Sequence, residues 1–176
     1  MKKEKTYKLY NILLPLWLLL FWPSYLWLIL IPANYLIDRL VLRWGLGDLP
    51  DRGRFCRKHT WKICVAGFVS DLAGACFIFV VYLASSLISD NAPDGSILEQ
   101  LAYGVGFNPF DNVWAFLAVT LAVAIAGLLI FRLDRRILRK AGLEDAAARG
   151  AALKLALITA PYLYFFPSEL LYRGGI

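Results

Sequence analysis

The longest apolar stretches of this chain are almost free of charge. Residues 63–88 hold one acid, Asp71, and residues 113–131 hold no charged residue at all. A further apolar stretch fills 9–44 and another fills 151–172, each with few charges. All four reach the ~18–20 apolar residues that cross a ~30 Å hydrocarbon slab as helix. Hydrocarbon leaves backbone polar groups no partner but the chain itself, so such segments are helical. The sequence therefore predicts an all-α fold, a polytopic transmembrane helical bundle. Three spans are expected at 63–88, 113–131 and 151–172. Residues 9–44 add a proline-broken re-entrant hairpin or one kinked span.

Composition agrees with that class. Hydrophobic residues make up 60% of the 176 and charged ones 18%, against ~25% charged in an ordinary soluble protein. One integral membrane domain over 1–176 is expected, with the lipid bilayer as its first partner. The net charge of +6 does not point to nucleic acid, because the basic residues sit in short segments between apolar ones. Four lysines lie in residues 1–8, followed by an apolar run with no A-x-A-like site. A retained first membrane segment fits this better than a cleaved leader. Cys56, Cys64 and Cys76 are an odd number and make no disulfide framework.

Loop charges give an orientation. Residues 1–8, 45–62 and 132–150 are rich in Lys and Arg, whereas 89–112 has none. The positive-inside rule places the first three, with the N-terminus, in the cytoplasm, and places 89–112 outside. The protein is then expected in a cell membrane, plasma or inner. Both ends of 9–44 are basic, so it should cross an even number of times, yet it holds only about 36 residues. As one helix that is ~54 Å, too long for one crossing and too short for two. Pro15, Pro23 and Pro32 break the ladder. We expect helices on either side of Pro23 dipping in from the cytoplasmic face. The alternative is a kinked span followed by an interfacial helix, 34–44, which puts the N-terminal lysines outside.

Asp71 is the sharpest chemical signal, since a carboxylate eight residues into a span must be paired, hydrated or protonated. It reads as a cation or proton site, with a structural pair to Lys62, Arg39 or Lys154 as the plainer reading. Ser70 lies beside it. Glu169 follows Pro167-Ser168 and completes the expected ion or solute path, or else caps a short helix. Asp38-Arg39 reads as a surface ion pair. Ala66, Ser70 and Gly74 repeat every four residues, as do Ala118, Ala122 and Ala126. Such small-residue faces let helices approach closely.

Cys56-x-x-His59 followed by Cys64 is short of the four ligands of structural zinc. His59 is the sole histidine, and the chain has no P-loop, G-x-G-x-x-G or G-x-S-x-G motif. No metal, no cofactor and no enzymatic activity are expected. The function expected is a homo-oligomeric channel or transporter-like protein for a small ion or solute. The alternative is a non-catalytic accessory or scaffold subunit of a larger membrane complex. Self-association or a partner membrane subunit is implied by either.

Overall fold

A computed structural model describes residues 16–21, 25, 27–89, 93 and 95–170. Every regular element among them is helical. A 3-10 turn at Leu16–Leu20 precedes α1 (Trp27–Gly45), α2 (Arg52–Ser89), α3 (Ile97–Gly106), α4 (Val113–Lys140) and α5 (Asp145–Thr159). Short 3-10 turns at Pro109–Asp111 and Tyr162–Phe165 complete the set. Helices α2 and α4 are each long and apolar enough to cross a membrane, by length and composition.

The basic segments extend these helices instead of interrupting them. α2 begins at Arg52, so Arg54, Arg57, Lys58 and Lys62 ride on its first turns. α4 continues through Arg132, Arg135, Arg136 and Arg139 to Lys140. It stops where the sequence provides a stop. Gly142 takes φ +95, and the Leu143 amide donates back to the Leu138 carbonyl, the bond of a glycine-closed helix end.

The expected span 151–172 is divided by its prolines. α5 is 15 residues long and ends at Thr159. Ala160 is extended, at ψ 150, because Pro161 disfavours the helical region for the residue before it. The Tyr162–Phe165 turn follows, and residues 171–176 lie outside the described part. Among the described residues α1 runs from Trp27 and carries Pro32 inside it. Pro32 is the sixth residue of the helix, beyond the first four amides that lack partners, so it forfeits one backbone hydrogen bond there.

Four helices form a ring. α1 packs on α2, α2 on α4, α4 on α5, and α5 on α1, which sets α1 opposite α4. Alanine and glycine make the close approaches possible. Ala148, Ala151 and Ala152 of α5 are fully buried, and a Cβ built on Gly45 would lie 3.1 Å from Ala151 Cα. One core fills this end, around Leu42, Ile63, Ile130, Leu138 and Leu155. A second core lies toward α3, around Trp17, Ile78, Val105, Val119 and Tyr164.

The N-terminal segment runs down α2 in one direction. Trp17 packs on Tyr82 and donates its indole N–H to the Val105 carbonyl at 3.1 Å. Phe21 meets Phe79 at 5.8 Å, and Trp27 stacks on Phe68 at 5.9 Å. The lysines of residues 1–8 and the break at Pro23 lie outside the described residues.

Caps close the α3 end. Ser96 accepts from the Glu99 amide and so caps α3, while Glu99 Oε2 reaches back to accept from the Gly95 amide before the cap. Asn112 accepts from the Trp114 amide at 2.7 Å and starts α4.

Candidate functional site

A cavity of about 720 Å³ opens sideways between α1, α2 and the α5–Pro167 segment. Its walls are Leu20, Trp27, Leu30, Ile37, Phe68 and the run Ile158–Pro167. Exposed Leu30, Ile37, Ile158 and Leu163 rim the mouth. Asn34 of α1 and Asp71 of α2 are the polar side chains α1 and α2 bring to it. The helix break at Pro161 falls within the lining, between the end of α5 and the Tyr162–Phe165 turn.

Asp71 therefore faces an apolar hollow. Its Oδ1 is buried without a hydrogen-bond partner. The expected structural pairing is not formed among the described residues. Lys154 lies 4.4 Å over the Trp44 ring, and the ion pairs present are those of Arg135 and Arg139 with Asp145. Tyr164 packs against this part of α2 and donates its hydroxyl to the Asp71 carbonyl oxygen.

The other expected path residues do not gather at Asp71. Ser70 is fully buried, and its hydroxyl donates to the Ala66 carbonyl at 2.7 Å within its own helix. Glu169 accepts from Asn108 at 2.8 Å, in the connection before α4. The small-residue faces meet each other: a Cβ on Gly74 would lie 3.0 Å from the Ala122 carbonyl and 3.3 Å from Ala126 Cβ. Ala66, Ala122 and Ala126 are buried, and Ala118 is half-buried.

Two acids were misplaced or missed by sequence reasoning. Asp38 is no surface ion pair with Arg39: it is 2% exposed, and its Oδ2 is buried without a hydrogen-bond partner. Asp134, hidden in a run of arginines, is fully buried with both carboxylate oxygens unpartnered. A signal for Asp134 was present. It continues the four-residue stripe Ala118, Ala122, Ala126, Ile130, and Leu138 follows it. Cys56 and His59 are buried at the basic end, with His59 packed on Phe55 at 4.5 Å. No group of three or more His, Cys, Asp or Glu with metal-holding geometry occurs among the described residues.

What fold and site define together is a helical protein with two membrane-crossing candidates and a lateral apolar cavity holding one carboxylate. No protein-family model, curated protein or solved structure matches the chain.

Proposed function

We propose that the chain is a small multi-pass membrane transporter, and that its solute site is the Asp71 cavity. The solute class that fits is an amphiphilic cation such as a hydrophobic amine. One observation carries this: the side chain lining a hollow of aromatic and aliphatic groups is a carboxylate, one oxygen of which is buried without a hydrogen-bond partner. The volume falls in the ~300–1,000 Å³ range of small-molecule sites, which combine apolar walls with a few placed polar groups. An intramembrane carboxylate is expensive to keep, and such residues mark ligand or ion paths. The cavity's exposed apolar rim suits entry from the lipid phase. In this reading α1, α2, α4 and α5 with Tyr162–Phe165 lie in a cell membrane, and the Arg-rich ends of α2 and α4 are cytoplasmic. The one-way course of Trp17, Phe21 and Trp27 along α2 favours a kinked crossing for that segment.

The test is equilibrium binding of tetraphenylphosphonium, a lipophilic cation, to the purified protein in detergent. Wild type should bind it, and Asp71→Asn should weaken binding at least tenfold while Asp71→Glu retains part of it. No binding by wild type, or equal binding by Asp71→Asn, overturns the assignment. A stoichiometric membrane partner co-purifying with indifference to Asp71→Asn would move the reading to an accessory subunit.

A further inference from the structure

Asp71 is not the only acid inside the bundle. Asp38 on α1 and Asp134 on α4 belong to helices that face each other across the ring, and both are at least 98% buried: Asp38 is 2% exposed and Asp134 0%. Asp38 Oδ2 and both Asp134 oxygens have no hydrogen-bond partner. Leaving a polar group buried and unbonded costs ~1–3 kcal/mol, and more when it is charged. Asp38 and Asp134 so placed represent a large uncompensated cost for the fold, and the half-buried Asp71, with one unpartnered oxygen, adds to it.

Helix geometry gives their order. Asp38 lies one turn before Leu42, which shares a core with Ile63 and Ile130, and Asp134 lies one turn past Ile130 beside that core. Asp71 stands eight residues beyond Ile63 along α2, ~12 Å at 1.5 Å per residue. Between them lies Gly67, on the same face as Cys64 and Asp71 by its spacing of three and four. Gly67 is buried, yet a Cβ built on it would meet no atom within 4 Å. The backbone thus leaves a gap at that point, and polar groups at either end are what an internal water needs.

The cations of the neighbourhood do not close this line. On α1, Arg39 makes no ion pair among the described residues. On α5, Lys154 is held over Trp44. On α2, Lys62 lies 5.7 Å over the Trp61 ring, and His59 is buried against Phe55. On α4, Arg135 and Arg139 turn outward to Asp145. Tyr164, from the segment after α5, spends its hydroxyl on a backbone carbonyl.

We propose that Asp71, the Gly67 gap, Asp38 and Asp134 form a hydrated proton path from the cavity to the basic end of the bundle, so that proton movement is coupled to occupancy of the cavity. This rests on the transporter reading for its coupling, but not for the path itself. The step is a proton exchange with no change of covalent bonding: a proton leaves one carboxyl oxygen for a bridging water while that water yields another to the next carboxylate. Asp71 is shared by solute and proton, and a cation arriving there displaces the proton toward Asp38.

The experiment uses the full chain in liposomes that trap a pH-sensitive dye, under an imposed pH gradient with the membrane potential clamped. Binding of tetraphenylphosphonium in detergent is measured in parallel. Wild type should move protons. Asp38→Asn, Asp134→Asn and Gly67→Leu should each lower that rate at least tenfold, with tetraphenylphosphonium affinity changed less than about threefold. Asp134→Glu, which keeps an exchangeable proton, should restore part of the rate. No proton movement by wild type overturns the path, whatever the variants do, and so does an undiminished rate in Asp38→Asn and Asp134→Asn. Flux of sodium in place of protons overturns it as well. Wild type that binds the cation without moving protons removes the path and leaves the transporter reading. Asp134-dependent proton movement without cation binding removes the solute and leaves the path.

Discussion

Two glycines on α2, seven residues apart, should respond to the same substitution with opposite signs. A Cβ at Gly74 would lie 3.0 Å from the Ala122 carbonyl oxygen, 3.2 Å from Tyr164 Cε2 and 3.3 Å from Ala126 Cβ. The carbonyl belongs to the α4 backbone and cannot rotate away, and the Tyr164 ring is held by its bond to the Asp71 carbonyl. Gly74→Ala must therefore push α2 and α4 apart by several tenths of an ångström. Overpacking of this kind costs ~1–3 kcal/mol, and alanine's better helix propensity returns ~0.8–1 kcal/mol. The net is a destabilisation of about 0–2 kcal/mol. Gly67→Ala meets no atom within 4 Å, so the propensity gain stands alone and the variant should be stabilised by ~0.5–1 kcal/mol. Thermal unfolding in detergent, followed by far-UV circular dichroism, resolves this at about 2–4 °C per kcal/mol. Gly67→Ala should melt above wild type, and Gly74→Ala at or below it. If Gly74→Ala raises the melting temperature as much as Gly67→Ala, then α2 and α4 do not meet at Gly74 and the packing argument fails.

Trp17→Phe should free the turn Leu16–Leu20 from α3, since it deletes the buried bond to the Val105 carbonyl, at a cost of about 1–2 kcal/mol. Faster amide exchange in α3 should report it, and unchanged exchange there would refute it. Asp145 is the first residue of α5, and its hydrogen bonds from the Arg135 guanidinium, aided by Arg139, hold its carboxyl below the usual range. A depressed carboxylate stabilises the fold above its unfolded value of ~3.9, and that contribution disappears as pH falls through the folded value. Exchange at residues 146–149 should therefore rise on strong acidification and, because the pair is exposed, with added salt; Asp145→Asn should show the raised level already at neutral pH.

Much of the fold was legible because it follows from local rules. The all-helical character and the Ala66–Ser70–Gly74 and Ala118–Ala122–Ala126 faces rest on residue type and spacing. The break of 151–172 at Pro161 was equally readable, and was overlooked because apolar length was weighed above proline. Site residues were harder. Asp71 stood out because its surroundings are apolar in sequence. Asp38 and Asp134 did not, because each has arginine as a near neighbour in the chain and so resembles a surface charge. Only the helical period separates them: Asp134 shares its stripe with Ile130 and Leu138, while Arg132, Arg135, Arg136 and Arg139 fall outside it.

That separation also argues for a role beyond stability. Arginine is the natural partner for a buried carboxylate, and α4 carries four arginines within five residues of Asp134. Satisfying Asp134 would require no new residue, only a shift in register. Instead Arg135 and Arg139 reach outward to Asp145, at 2.8 and 3.3 Å, and spend their charge where an ion pair contributes least. On α1, Arg39 neighbours Asp38 yet leaves its Oδ2 unbonded. Replacing a buried charge by an apolar residue of similar size is often neutral or stabilising, so leucine at 38 or 134 would suit the core around Leu42 and Leu138 better. Sites that break local rules in an otherwise consistent fold are where function is expected. Across this ring the rule is broken twice, at Asp38 and Asp134 on facing helices, and once more at Asp71 on the cavity wall.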